Sequence, residues 1–289
     1  MPRPPFRLTE PAARTSAAIF ASPHSGRDYP RSFLRASQLG EHAIRSSEDA
    51  FIDILFDRAP DFGAPLLAAT APRAYLDLNR GAEELDPAVV EGVRPVSHNP
   101  RVASGLGVIP RVVSNGRQIY AGKIPADEAR ARIARYHRPY HARLRALMEE
   151  SHALFGEAVL IDCHSMPHEA LDGLTPRGAR RPDVVLGDRF GAACAPAIIE
   201  QVEAFFAEAG LRVSRNAPFA GAYVAQTYGR PSRGWHVIQV EIDRALYMNE
   251  QLVRPNANFD GFRSVLTGVV AKIAAMGGHG RGRVPLAAE

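Results

Sequence analysis

The 289-residue chain has two cysteines, Cys163 and Cys194, one tryptophan, Trp235, and two lysines, Lys123 and Lys272. Two cysteines make no disulfide framework, so a reducing compartment, the cytoplasm, is the expectation. No apolar run approaches the ~20 residues that span a bilayer. The opening MPRPPFRLTEPAARTSAAIF lacks the charged-then-apolar order of a secretory signal, and no membrane partner is expected. With lysine nearly absent, the +4 formal balance rests on arginine, and no arginine block is interleaved with aromatics. That pattern argues against a nucleic-acid partner and suits a small anionic substrate. Oligomeric state leaves no mark in the sequence.

What is present reads as one globular unit, with 46% hydrophobic and 23% charged residues. Strand-like and helical patterns alternate, which predicts a three-layer α/β/α sandwich with a mixed, mostly parallel sheet. A single domain is expected over 1–289, with its core at about 15–276 and a flexible tail at 277–289. Apolar strands are expected at 16–22 and 158–162, each leading into a His-Ser pair, His24-Ser25 and His164-Ser165. The stretch 46–59 predicts a helix capped by Ser46 or Ser47, with Glu48 and Asp49 in its first turn and Phe51, Ile54 and Leu55 on one face. Two strands are expected in 64–81 around a turn at Ala71-Pro72, the second ending on Asp77, Asn79 and Arg80. Residues 82–124 have no periodicity and read as a functional excursion or lid. A helix at 125–151 should break at Pro139. A strand at 183–188, a helix at 192–210, short strands within 212–242 ending on Glu241, and a helix at 258–276 complete the reading.

In a parallel sheet the strand ends converge on one edge, which is where ligands bind in open α/β folds. His24, His164 and one carboxylate meeting there would leave a coordination position for water, the arrangement of catalytic zinc. Cys163 should point away from His164 on the strand, and Asp162 is expected to point with Cys163 rather than to orient His164. Asp28, Glu48 and Asp49 are all candidates for the carboxylate, though an acid at a helix start is also explained by the macrodipole. Glu241 ends an apolar run, so it needs a partner: a metal-activated water, for which it would be the general base, or Arg244 in a plain ion pair. Asn79 and Arg80 suit recognition of a substrate carboxylate, and Arg230 and Arg73 are further anion-binding candidates.

The segments SPHSG (22–26), SEDAFID (47–53), YLDLNR (75–80), DCHSMP (162–167), DVVLGDRFG (183–191), YGRP (228–231) and QVEIDRALYM (239–248) together resemble the N-formylglutamate amidohydrolase family over roughly 15–275. The resemblance implies the sandwich fold of zinc carboxypeptidases and aspartoacylases with one Zn²⁺ per chain. It further implies His24 and His164 as ligands, Glu241 as the catalytic glutamate, and Asn79-Arg80 as a clamp on a substrate carboxylate. Those relatives carry a ligand glutamate three residues after the first histidine, where this chain has Arg27. Asp49 is favoured for that role, with Glu48 in reserve. The implied reaction is hydrolysis of N-formyl-L-glutamate, or a similar N-acyl amino acid, to formate and glutamate, a step of histidine degradation. The competing reading is a non-catalytic protein that uses the same arginines to hold a dicarboxylate or another small anion.

Overall fold

The computed structural model describes residues 4–94, 99–172 and 181–277. Among these, seven strands form one sheet: β1 (Phe6–Thr9), β2 (Ala18–Ser22), β3 (Leu66–Ala69), β4 (Ala158–Met166), β5 (Val184–Gly187), β6 (Val213–Arg215) and β7 (Trp235–Asp243), in the spatial order β1-β3-β2-β4-β7-β5-β6. Strands β3, β2, β4 and β7 run parallel, β1 and β5 join antiparallel, and β6 runs parallel to β5. The sheet is therefore mixed and mostly parallel, as expected.

Strand periodicity of two sends alternate side chains to opposite faces. On one face Ile19, Ala21, Leu160 and Val237 pack with Tyr140, Leu144, Leu147 and Met148 of the helix Arg138–Phe155. On the other, Phe20, Ile161, Ile238 and Val240 pack with the helices Pro196–Glu208 and Phe259–Ala275 through residues such as Val202, Phe206, Leu266 and Val270. Helices on both faces complete the three layers. No helix among the described residues is long and apolar enough to cross a membrane.

Two expected elements are absent in the form predicted. Residues 46–59 do not make one helix: a 3₁₀ turn, Ala43–Ser47, gives way to extended backbone at Glu48, then Phe51 at φ 68° and a single turn, Ile52–Leu55. Neither Ser46 nor Ser47 caps a helix there. The apolar spacing was real, since Ile52 and Leu55 are buried, but it is satisfied by short turns around an inserted Asp49. The second strand of 64–81 is also missing; after β3 the chain turns, and Asp77, Asn79 and Arg80 lie on a buried loop.

The excursion at 82–124 has a packed interior, burying Val89, Val90, Val108, Ile109, Val113 and Ile119. The 125–151 helix carries a π turn, Ile133–His137, immediately before Pro139, which occupies the first turn of Arg138–Phe155. A ring without an N–H is tolerated where the regular ladder is already interrupted. A short helix, Tyr223–Tyr228, lies where only strands were expected. Of the tail expected at 277–289, positions 278–289 lie outside the described residues.

Candidate active site

Strand β4 pairs with β7 so that His164 is level with Glu241, and with β2 so that Asp162 is level with Ala21. His24 follows two residues beyond the end of β2. Because Leu160 and Val237 share the face of the Arg138–Phe155 helix, Asp162, His164, Gln239 and Glu241 project to that same face. The expectation that Asp162 points with Cys163 is thereby corrected: residues two apart on a strand share a face, and Cys163 packs into the opposite core. Asp162 Oδ2 lies 3.1 Å from His164 Nε2.

Asp49 enters from the broken 43–55 segment, where its backbone N–H donates to His24 O at 3.0 Å. Its Oδ2 lies 2.9 Å from His164 Nδ1 and 3.3 Å from His24 Nδ1. One ligand atom from each of His24, Asp49 and His164 falls within 4.8 Å of the others, and all three residues are buried. The outward nitrogens are held as well: His24 Nε2 is 2.7 Å from Asp77 Oδ1, matching the contact of His164 with Asp162. Carboxylates behind two imidazoles fix the rings so that both Nδ1 atoms face Asp49. His24 Nδ1 is buried without a hydrogen-bond partner among the described residues, as a metal-ligating nitrogen would be in the absence of its ion. Two imidazoles and one carboxylate with an inward-facing orphan nitrogen can hold a metal ion.

The other carboxylate candidates are not in this group. Glu48 is taken by the Tyr29 hydroxyl at 2.6 Å and by a bidentate pair with Arg45. Asp28 lies outside the three-residue cluster. Arg27, at the position where the resemblance expects a ligand acid, pairs instead with both carboxylate oxygens of Asp53. Gly26 explains the final residue of SPHSG: a Cβ there would stand 2.1 Å from Ala71 O, so only glycine lets the His24 loop lie against the β3 exit.

These side chains line a cavity of about 440 Å³, with Glu241, Arg73, Asn79, Arg80, Arg101, Gln239 and Arg244 also on its wall. Glu241 does not pair with Arg244. Gln239 Nε2 donates to Glu241 Oε1 at 2.8 Å, while Arg244 donates to Asp49 Oδ1 at 3.1 Å and to Ser165 Oγ at 3.1 Å. Burial raises Asp49 less than the bond with His164 and the charge of the neighbouring His24 and His164 imidazoles lower it, so its carboxyl stays well below the usual range. Burial pushes Glu241 up to about 7, opposed by the neighbouring His164 and reinforced by Asp49.

The sign of that shift gives a first test. Between its ordinary 4.5 and about 7, the folded metal-free protein keeps a proton on Glu241 that the unfolded chain has lost. Wild-type stability therefore falls as pH rises through this window. Glu241→Gln, which cannot ionise, should melt higher relative to wild type at pH 8 than at pH 5. A melting difference that is the same at both pH values would refute the assignment.

The arginines sort by position. Arg80 donates Nε to Leu106 O at 2.7 Å and Nη1 to Asn79 O at 2.6 Å, and has no ion pair among the described residues, so its charge is free for an anion in the cavity. Asn79 contributes less directly than expected: its amide donates toward Asp162 and Gln239 and accepts the Val224 N–H at 2.8 Å, so its polar atoms are engaged within the protein. Arg230 is not on this cavity. It lines an adjacent one, just past the end of the Tyr223–Tyr228 helix, and donates to the Gln226 and Gly229 carbonyls. Arg101, on the wall of both cavities and without an ion pair among the described residues, was missed. Its motif, NPRVASG, carries no signal beyond a capped turn, Asn99 accepting from Arg101 N and Val102 N.

A sequence model of N-formylglutamate amidohydrolase matches residues 16–248. An N-formylglutamate deformylase of Pseudomonas aeruginosa is 31% identical over 240 residues, covering 81% of this chain and 82% of that protein. The enzyme of the same name from Pseudomonas putida is 30% identical over 240 residues, covering 80% and 82%. The crystal structure of an N-formylglutamate amidohydrolase from Ralstonia eutropha JMP134 superposes with a TM-score of 0.87 at 36% identity, covering 93% of this chain and 97% of that one. With the matched segment running from β2 through Met248, and so spanning His24, Asp49, His164 and Glu241, the chain belongs to the N-formylglutamate amidohydrolase family.

Proposed function

We propose that this chain is a zinc-dependent hydrolase that cleaves N-formyl-L-glutamate to formate and glutamate. The observation that supports it most is the meeting in one buried cavity of a three-residue ligand group, His24, Asp49 and His164, with a proton-active carboxylate and an unpaired arginine. A zinc ion held by those three side chains would polarise the formyl carbonyl and make the attacking water more acidic.

The rest is done by the chain itself. Glu241, with its pKa raised to about 7, accepts the proton that water loses as its oxygen bonds to the formyl carbon. The same carboxyl then delivers that proton to the amide nitrogen as the C–N bond breaks, leaving formate and the free amine of glutamate. Gln239 steers Glu241 through its 2.8 Å bond, so the shuttling oxygen is Oε2. Arg80 holds one carboxylate of the substrate and Arg101, on the same wall, meets the other, while Arg73 is paired with Asp77 at 3.0 Å. Fixing both ends of a small dicarboxylate leaves the formyl group little freedom over the ligand group, which is the orientation the reaction needs. Two free, buried cysteines are in keeping with the cytoplasm as its location.

Release of formate from N-formylglutamate by the purified protein, with about one zinc per chain by elemental analysis, tests the proposal. Undiminished turnover after exhaustive chelation would overturn the zinc assignment. Arg80→Gln should lower kcat/KM for N-formylglutamate about 10- to 100-fold, the worth of a charged hydrogen bond of ~1.5–3 kcal/mol. An unchanged kcat/KM would remove Arg80 from the substrate site.

A further inference from the structure

Three consecutive carbonyls, Leu78, Asn79 and Arg80, lie on the buried loop that bears Arg80, and no backbone N–H among the described residues donates to any of them. Side chains satisfy all three. His141 Nε2 is 2.9 Å from Leu78 O, Arg80 Nη1 donates to Asn79 O at 2.6 Å, and His137 Nε2 is 2.8 Å from Arg80 O. The two histidines sit four residues apart, on either side of the junction between the π turn Ile133–His137 and the helix Arg138–Phe155, with ring centroids 4.3 Å apart. Two imidazoles from one rigid element therefore grip the loop at both ends, and the guanidinium of Arg80 folds back over the carbonyl between them. Buried carbonyls without regular partners would otherwise cost free energy, so this loop keeps its shape only while its donors stay in place.

We infer that His137 and His141 are positioning residues that hold the Leu78–Arg80 backbone and thereby aim the Arg80 guanidinium into the substrate cavity. The inference rests on the proposed role of Arg80. Neither ring touches the ligand group, and both have the ordinary neutral form that one donated N–H requires: burial lowers both, His141 down to about 3. With Nε2 donating to Leu78 O, His141 Nδ1 carries no proton; it lies 3.0 Å from the Tyr228 hydroxyl, which itself donates to His141 O at 3.1 Å and so packs against both the ring and the backbone of His141. A π turn just ahead of paired polar groups is where helices are adapted to sites.

The test compares substrates rather than rates alone. N-Formylglutamine lacks the side-chain carboxylate, and 4-formamidobutyrate lacks the α-carboxylate. Arg80→Gln should reduce the preference for N-formylglutamate over one of these two, which then becomes the comparator. His137→Phe and His141→Phe, which keep the ring and lose the donor, should reduce that same preference by about tenfold each, as expected for loss of one well-placed charged contact. His137→Gln, whose amide N–H can occupy the place of Nε2, should restore most of it. On the Arg80→Gln background the Phe variants should add little further loss, since residues that act through one group are not additive.

A merely structural role would lower turnover of both substrates together and leave the preference intact, and that result would overturn the inference while sparing the clamp. Should Arg80→Gln itself leave both preferences unchanged, the reading of Arg80 fails and this inference with it. If the Phe variants do not fold, His137→Gln and His141→Gln are compared with His137→Asn and His141→Asn, whose shorter amides cannot reach the carbonyls. Equal preference in all four would count against positioning.

Discussion

Glu241→Gln is expected to lower kcat on N-formylglutamate by about 10²–10⁴-fold, the range associated with removal of a general acid–base group. Gln keeps the size and one oxygen of the side chain, and the bond from Gln239 Nε2 can still be accepted. What disappears is the capacity to take a proton from water and return it to the departing nitrogen. His24, Asp49 and His164 are untouched, so zinc content should remain about one per chain, and the substrate should still bind because its carboxylates are held elsewhere. A kcat within threefold of wild type would remove Glu241 from the chemistry. Loss of zinc together with activity would assign it a structural part in the ligand group instead.

Asp49→Ala should have the largest effect on both metal content and stability. The carboxylate faces both imidazoles and also receives Arg244 Nη2 at 3.1 Å and Ser165 Oγ at 3.4 Å. Removing it takes away the anionic ligand and leaves the buried guanidinium of Arg244 with Glu250, 3.7 Å away, as its remaining carboxylate among the described residues. Breaking a buried pair by deleting one partner typically costs ~3–5 kcal/mol, because the remaining charge stays desolvated. Denaturant unfolding of metal-free protein should therefore show a loss of that size, and zinc binding should fall to background. Asp49→Asn separates the two effects: it keeps the volume and an acceptor for Arg244 but loses the charge, so it should recover stability in part while binding zinc poorly. Full zinc occupancy in Asp49→Ala would return the ligand role to another acid.

The parts of this site that lie on central strands were legible in the sequence. Apolar runs feeding His164 and Glu241 identified β4 and β7, and the repeated strand-then-His-Ser plan identified β2 and His24, because a buried strand has one dominant pattern. Asp162 belongs to the same legible pattern, since residues two apart on a strand share a face and its carboxylate therefore meets His164. The 46–59 segment failed for a physical reason. Its apolar spacing fits a helix, but the backbone is extended at Glu48 and the Asp49 N–H goes to His24 O, which places Asp49 against the imidazoles and Glu48 against the Tyr29–Arg45 pair. Phe51 at φ 68° accommodates the break. The Leu78–Arg80 loop read as a strand because its apolar residues alternate with polar ones, yet its hydrogen bonds come from His137 and His141, more than fifty positions away. Local pattern cannot see such donors. Arg230 looked like a binding residue by its motif and lies on the neighbouring cavity, whereas Arg101 reaches the site only because the 82–124 excursion folds over it.

The ligand group also orders events in time. His24 and Asp49 are synthesised early, but His164 lies 115 positions beyond Asp49, on the strand that must slot between β2 and β7. Under the proposed ligand set, a refolding chain without that strand in place has two of the three donors, so cation capture would wait until the middle of the sheet closes. Metal uptake during refolding would then act as a clock for that closure, its lag lengthened by anything that delays β4 and indifferent to the docking of the outer strands β1 and β6.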